Sequence, residues 1–152
     1  MVQKPNDLTD ADQMIIESLQ LDGRRPYAEI AAELGMAPST VQQRANRLIK
    51  RGVMKIKAVT DPTVMGVPII ATVALKVDGE TMRDVADVIS KFKDVSYLVI
   101  CAGSWDIQLE IACRDNDHLL NTISKISKVS GVKSVETFIY LKIVKNSYQW
   151  GV

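Results

Sequence analysis

The stretch Ala28–Val53, AEIAAELGMAPSTVQQRANRLIKRGV, decides how the first third of the chain folds. Gly35 and Pro38 cut it into two helical pieces. Glycine suits the left-handed position that ends a helix, and proline suits a first helical turn. Before the break, from a start near Pro26, Ala28, Ile30, Ala31 and Leu34 give a short apolar stripe. After it, Val41, Ala45, Leu48 and Ile49 give a second stripe on a helix that opens at Pro38 and is stopped by Gly52. Two short helices joined by a tight glycine-containing turn match a helix-turn-helix, and the small Ala31, Ala32 and Ala37 allow close approach. Upstream, Thr9 followed by Asp10 and Asp12 predicts another helix start, with Ile15, Ile16 and Leu19 inward and Gly23 at its end.

Charge is distributed unevenly over this region. The chain has 19 Lys+Arg against 18 Asp+Glu, yet Ala37–Val59 holds Arg44, Arg47, Lys50, Arg51, Lys55 and Lys57 and no acid. On the helix from Pro38, the residues Ser39, Thr40, Gln43, Arg44 and Arg47 fall away from the apolar stripe, and Lys50 and Arg51 extend that face. A cationic face without carboxylates attracts a polyanion and releases its counterions. Ser39, Thr40 and Gln43 lie near the helix N-terminus, where a recognition helix meets base edges in double-stranded DNA. Arg44 and Arg47 are candidates for bases or phosphates, Lys50 and Arg51 for phosphates. After Gly52, VMKIKAV alternates, with Met54, Ile56 and Ala58 on one side and Lys55 and Lys57 on the other. Such alternation predicts a half-buried strand, either a cationic wing beside the duplex or an edge protected by lysine. The competing reading of the whole basic face is a solvated or protein-binding surface.

Length and composition are those of a globular protein of one or two small domains, 152 residues with 47% hydrophobic and 24% charged. The polar start, MVQKPNDLTD, does not read as a signal peptide. The most apolar run, Val67–Val77, is too short for a bilayer and contains Lys76, so a cytoplasmic protein without membrane attachment is expected. Cys101 and Cys113 flank the turn near Gly103–Trp105. A hairpin there sets Cys101 opposite roughly Ile107, away from Cys113, so both read as free, small, buried apolar residues. A single His and no paired Cys/His spacing imply no metal site and no cofactor.

The segment Thr60–Pro68, TDPTVMGVP, reads as a linker. Beyond it come a strand at 69–77, a helix at 81–91 with Val85, Val88 and Ile89 inward, strands at 95–102 and 106–112, a helix at 115–128 with Leu119, Leu120, Ile123 and Ile126 inward, and a long strand at 132–144. That order is a ferredoxin-like β-α-β-β-α-β split repeat. The predicted class is α+β, a winged helix-turn-helix over residues 1–59 followed, after the 60–68 linker, by a ferredoxin-like domain over 69–152. Such a sheet carries helices on one face. Strands such as Tyr97–Ala102, YLVICA, are apolar on both alternating sets, so the other face needs cover, and a second copy of the chain is the simplest. Two-fold pairing would set two basic helices about one DNA turn apart, roughly 34 Å or a multiple.

The order helix-turn-helix, linker, βαββαβ resembles the Lrp/AsnC (feast/famine) transcriptional regulators. The resemblance spans nearly the whole chain. It is carried by LTDADQMIIESLQLDGR (Leu8–Arg24), AEIAAELGMAPSTVQQRANRLIKRGV (Ala28–Val53), DPTVMG (Asp61–Gly66) and AGSWDIQL (Ala102–Leu109). It implies an N-terminal DNA-binding domain and a C-terminal domain that forms a homodimer and binds a small effector, usually an amino acid. It also implies higher assembly, commonly four dimers in a ring, with the effector near the GSWD turn and the last strand. Three positions depart from the family pattern. Ala37 stands where a serine usually caps the recognition helix, Ile56 and Lys57 stand in place of Gly-Tyr, and one residue is missing before Asp61.

In the turn Gly103–Asp106, glycine leaves its backbone open to approach and Asp106 supplies a carboxylate. Asp106 could take an effector's ammonium, the backbone N–H groups of Gly103, Ser104 and Trp105 its carboxylate, and the Trp105 ring could wall the pocket. Thr137 matches a polar family position on the last strand. The alternative is a plain hairpin turn in which Asp106 bonds its own backbone. Ser104, Asp106 and His118 are the ingredients of a triad without its setting, since His118 falls in the first turn of an amphipathic helix as a surface residue. The chain therefore reads as no enzyme. Two alternative functions stand beside this reading, a low-specificity DNA-compacting protein of the same fold and, ranked below it, a small-molecule enzyme on the ferredoxin-like domain.

Overall fold

A computed structural model of the chain describes Leu8–Lys145. It separates into two compact units that divide between Val59 and Thr60. Residues 1–7 and 146–152, the outer ends of the two expected domains, lie outside the described residues.

The first unit contains α1 (Asp10–Leu21), α2 (Tyr27–Leu34) and α3 (Pro38–Lys50). Thr9 and Asp12 form a reciprocal capping box on α1, each side chain accepting the other's backbone N–H at 3.2 Å. Gly35 adopts φ 62° at the end of α2, which turns the chain into α3 at little steric cost. Ile15, Leu19, Ile30, Ala31, Val41 and Ala45 make the core where the three helices meet. Several details differ from expectation. Pro26 caps α2 instead of occupying its first turn. Ala28 is exposed and Ile49 is half-buried, because α2 and α3 each press a narrower stripe into this small core. The expected wing strand does not form. Residues 54–60 take no regular structure, because a strand needs a partner ladder and no strand of the chain pairs with this segment among the described residues.

The second unit holds β1 (Ile69–Val77), α4 (Met82–Ile89), β2 (Val95–Ile100), β3 (Ile107–Cys113), α5 (Asn116–Ser127) and β4 (Val132–Ile139). The four strands form one antiparallel sheet in the order β2-β3-β1-β4. One face, from Ala71, Val73, Leu75, Val77, Ile107, Leu109, Ile111 and Cys113, buries against Val85, Ala86 and Ile89 of α4 and Leu119 and Ile126 of α5. Leu120, expected inward, is 67% exposed, and Val88 is exposed as well, since each is the chain neighbour of a buried residue, Leu119 or Ile89, and so points off the face its helix turns to the sheet. β4 ends at Ile139, short of the expected Val144. The expected linker begins as an ordered turn, with Met65 N–H bonded to the Asp61 carbonyl at 3.0 Å and Thr63 N–H to Asp61 Oδ1 at 2.8 Å.

Among the described residues of this unit, no helix packs on the opposite face of the sheet. On it, Tyr97 is 60% and Phe138 49% exposed, beside half-buried Ile70, Thr72, Val99 and Ala112. Tyr140 lies across this face. Its hydroxyl donates to Glu110 Oε2 at 3.0 Å and sits 2.7 Å from Thr72 Oγ1. Burial pushes the Tyr140 hydroxyl's pKa above its ordinary value, as does the neighbouring Glu110 carboxylate, while the Thr72 contact works against them. Cys101 N–H bonds the Asp106 carbonyl at 2.8 Å and Cys113 stands opposite Ile69, so the two cysteines are separate and free. Cys113 is buried, whereas Cys101 is half-buried.

Candidate nucleic-acid interface and effector turn

Helix α3 presents two sets of polar side chains, and the fold treats them differently. Ser39, Gln42, Gln43, Asn46 and Lys50 are exposed. Their spacing of three, four, seven and eleven residues from Ser39 places them along one line of the helix. That line lies opposite the buried Val41, Ala45 and Leu48. Among the described residues, none of these five side chains makes a hydrogen bond or ion pair within the protein.

Arg44 and Arg47 turn aside towards α1. Arg44 Nη1 lies 2.9 Å from Asp12 Oδ1 and 3.1 Å from Thr9 Oγ1. Arg47 Nη2 reaches both Asp12 oxygens at 3.2 Å. The Asp12 side chain is 0% exposed, sealed by arginines that are themselves 28% and 52% exposed. Burial opposes the charge on Asp12, but hydrogen bonds from Arg44 and Thr9, with the Arg44 charge, prevail and hold its pKa below the ordinary 3.8. Arg44 and Arg47 were expected on a face clear of the protein. In the structure both are bonded to a buried carboxylate that precedes them by 32 and 35 residues in the sequence.

The remaining basic candidates are Lys55 and Lys57, which are exposed on the irregular segment after α3, and Arg51, which caps α3 and is half-buried. Thr40 is half-buried. Ala37 caps α3 with no side-chain hydrogen bond, so that end lacks a capping oxygen worth about 1 kcal/mol. Gln42 and Asn46, uncharged and absent from the basic pattern of the sequence, share the Ser39 line through their helical spacing of three and seven residues.

In the second unit, Gly103 has φ 151°, a backbone conformation that favours glycine. Ser104 is exposed and Trp105 half-buried. The Asp106 side chain bonds two residues of β1 and not the backbone of its own turn. Its Oδ2 accepts the Val77 N–H at 3.0 Å and its Oδ1 the Lys76 ammonium at 3.1 Å. The Val77 and Lys76 hydrogen bonds, in that order, hold its pKa below the ordinary 3.8 against some desolvation. Thr137 stands opposite Val73, so strand alternation puts it on the helix-covered face, while Lys76 and its partner Asp106 belong to the other. The structure does not bring Thr137 and Asp106 together.

His118 is less exposed than a plain surface residue, its side chain 16% open. Its Nδ1 accepts the Arg114 N–H at 3.2 Å and its Nε2 lies 3.2 Å from Asp94 Oδ2. Asp94 Oδ2 also accepts from the buried Thr122 hydroxyl at 3.4 Å, so the imidazole ties α5 to the loop before β2. Among the described residues no group of three or more His, Cys, Asp or Glu could hold a metal ion. Among them, too, no helix is long and apolar enough to cross a membrane.

Comparison with known proteins identifies the family of both units. Residues 8–49 match the AsnC-type helix-turn-helix domain and residues 70–150 the Lrp/AsnC ligand binding domain. The helix-turn-helix-type transcriptional regulator PH0140 of Pyrococcus horikoshii is 35% identical over 144 residues, covering 93% of this chain and 91% of that one. Regulator FL11 of Pyrococcus furiosus is 33% identical, covering 92% and 93%. Among solved structures, the leucine response regulatory protein of Mycobacterium tuberculosis superposes with a TM-score of 0.84 at 25% identity, covering 94% and 99%. The regulator NMB0573 of Neisseria meningitidis, solved as an L-Met complex, shares the fold with a TM-score of 0.85 at 20% identity, covering 95% and 96%. The matched families and relatives are transcriptional regulators and not enzymes. The chain belongs to the Lrp/AsnC family of transcriptional regulators, with a helix-turn-helix DNA-binding domain and a ligand-binding domain.

Proposed function

We propose that this regulator binds double-stranded DNA sequence-specifically through residues 1–59, and that residues 69–152 dimerise and bind an amino-acid effector in the cytoplasm. The observation that carries the DNA reading is the exposed, carboxylate-free line from Ser39 to Lys50, on the second helix of a helix-turn-helix. Lys50, Lys55 and Lys57 supply phosphate attraction around it, and Arg51 adds charge at the end of α3. The uncovered sheet face supports the homodimer. Tyr97, Val99, Phe138 and Ile70 expose apolar area there, and a second copy would remove it from water. Four such dimers closing a ring is the further assembly this family suggests.

For the effector, the turn Gly103–Asp106 offers backbone N–H groups and a carboxylate at one end of the sheet. The Lys76 ammonium at 3.1 Å already occupies Asp106, so an incoming ammonium competes with Lys76 for it. We favour an amino acid as the effector of the ligand-binding domain, since a protein of the same fold from Neisseria was solved as an L-Met complex. Thr137 is a weaker member, reached from the other face of β4.

Gel shifts at moderate salt test the first part. Binding to DNA upstream of the protein's own gene should exceed binding to random duplex by a factor of ~10³ or more. A small ratio with a steep salt slope would point to DNA compaction instead. Thermal-shift screening of the twenty amino acids beside light scattering tests the second part, and Asp106→Ala should abolish the response to the active one while leaving the dimer intact. Unchanged effector affinity in that variant would remove Asp106 from the site.

A further inference from the structure

The polar residues of α3 that face outward between Ser39 and Asn46 are uncharged. They comprise one hydroxyl (Ser39) and three carboxamides (Gln42, Gln43 and Asn46), each exposed and without an internal partner among the described residues. The neighbouring guanidiniums, Arg44 after Gln43 and Arg47 after Asn46, are both bonded to Asp12. Asp12 therefore sorts the helix. Ionised and sealed against α3, it draws the two arginines sideways and leaves an amide edge facing out.

That edge has a definite chemistry. A carboxamide carries a donor and an acceptor side by side. Adenine presents the complementary pair in the major groove, a ring nitrogen that accepts and an exocyclic amine that donates. Guanine presents two acceptors there, which suit a guanidinium fork and oppose the carbonyl half of an amide. From Ser39 to Asn46 the edge runs about 10 Å along the helix, the height of roughly three stacked base pairs.

We propose that Gln42, Gln43 and Asn46 read adenines in the half-site, and that Asp12 is the positioning residue that makes this an adenine edge by withholding Arg44 and Arg47 from guanine. The proposal rests on the DNA-binding reading above. The DNA it selects carries two or three A·T pairs under α3, read in the major groove.

Selection of duplexes from a random pool by the full chain tests it, followed by binding to the enriched site and to analogues. In one analogue, carbon replaces the ring nitrogen that adenine shows in the major groove. This change at the α3 positions should weaken binding about tenfold or more, as loss of good bidentate base contacts does. The exposed variants Gln43→Ala and Asn46→Ala should each relax the preference at one position and keep the salt slope. Asp12→Asn should shift the enriched site towards guanine, which loss of stability alone would not do. An enriched site that is rich in guanine under α3, or one that tolerates the adenine analogue, overturns the inference and leaves specific DNA binding standing. No enriched site at all overturns the reading beneath it.

Discussion

Arg44 Nη1 stands 2.9 Å from Asp12 Oδ1, and this contact joins the first helix of the chain to the third. Asp12 already caps α1 through Thr9, so one carboxylate closes the helix start and orients the arginine side chains of α3, the second helix of the helix-turn-helix. Relaxing it alters the orientation of α3's arginines as well as the stability of the bundle.

The two arginines do not contribute equally. Arg44 is the more covered and donates to both Asp12 and Thr9, whereas half of the Arg47 side chain lies in water. Arg44→Ala should destabilise the helical unit by about 1.5–3 kcal/mol, in the range for a hydrogen bond to a charged group. Arg47→Ala should cost less than about 1 kcal/mol, as partly exposed ion pairs do. Urea unfolding of the full chain followed by helical circular dichroism measures both, and equal losses would contradict the ranking.

The Asp12 pKa is lowered on folding, so its ionisation favours the folded state. That stability is fully present above the unfolded value near 3.8 and disappears as pH falls through the lower folded value. The stability difference between the native chain and Asp12→Asn should therefore be constant from neutral pH down to about pH 5, then shrink as acid protonates the carboxylate. Unfolding curves at a series of pH values check this, and a gap that widens in acid would reverse the sign.

Ala37 occupies the N-cap of α3 with extended φ −74° and ψ 141°, the backbone shape of a capping serine, and it is exposed. Ala37→Ser should supply the missing acceptor and stabilise the helical unit by about 0.5–1 kcal/mol. The midpoint of urea unfolding should rise with an unchanged slope.

Gly131 precedes β4 with φ 96°, and its carbonyl accepts the Asp78 N–H at 2.8 Å. A Cβ there would fall 2.3 Å from Thr81 Oγ1 and 3.0 Å from Val85 Cγ2. Gly131→Ala should cost the sheet unit roughly 2 kcal/mol or more through backbone strain and overpacking. A smaller loss in thermal unfolding of the full chain would mean that the turn can shift to admit the methyl group.

Local signals settled much of the fold. Thr9 and Asp12 mark a capping box because the hydrogen bonds involved span three residues. Gly35 and Pro38 mark the turn into α3 because their backbone preferences act at single positions. Strand and helix periodicity in residues 69–139 was enough for the split repeat, since each element buries one face and that requirement is written into its own spacing. The wing misled because alternation shows that a segment can be a strand, whereas a strand exists once another backbone pairs with it.

The site depended on distances in space. Arg44 and Arg47 look like free cations in the sequence, and Asp12 takes them because packing Ile15 against Val41 and Ala45 brings α1 onto α3. Asp106 looks available in its turn, and Lys76 and Val77 take it because β1 lies beside β3. Helical spacing along one chain thus determined which elements form and which residues share a face. Which charges remain open to a partner was decided by the tertiary structure, because a charge is neutralised by the nearest opposite group in space, and that group comes from another element.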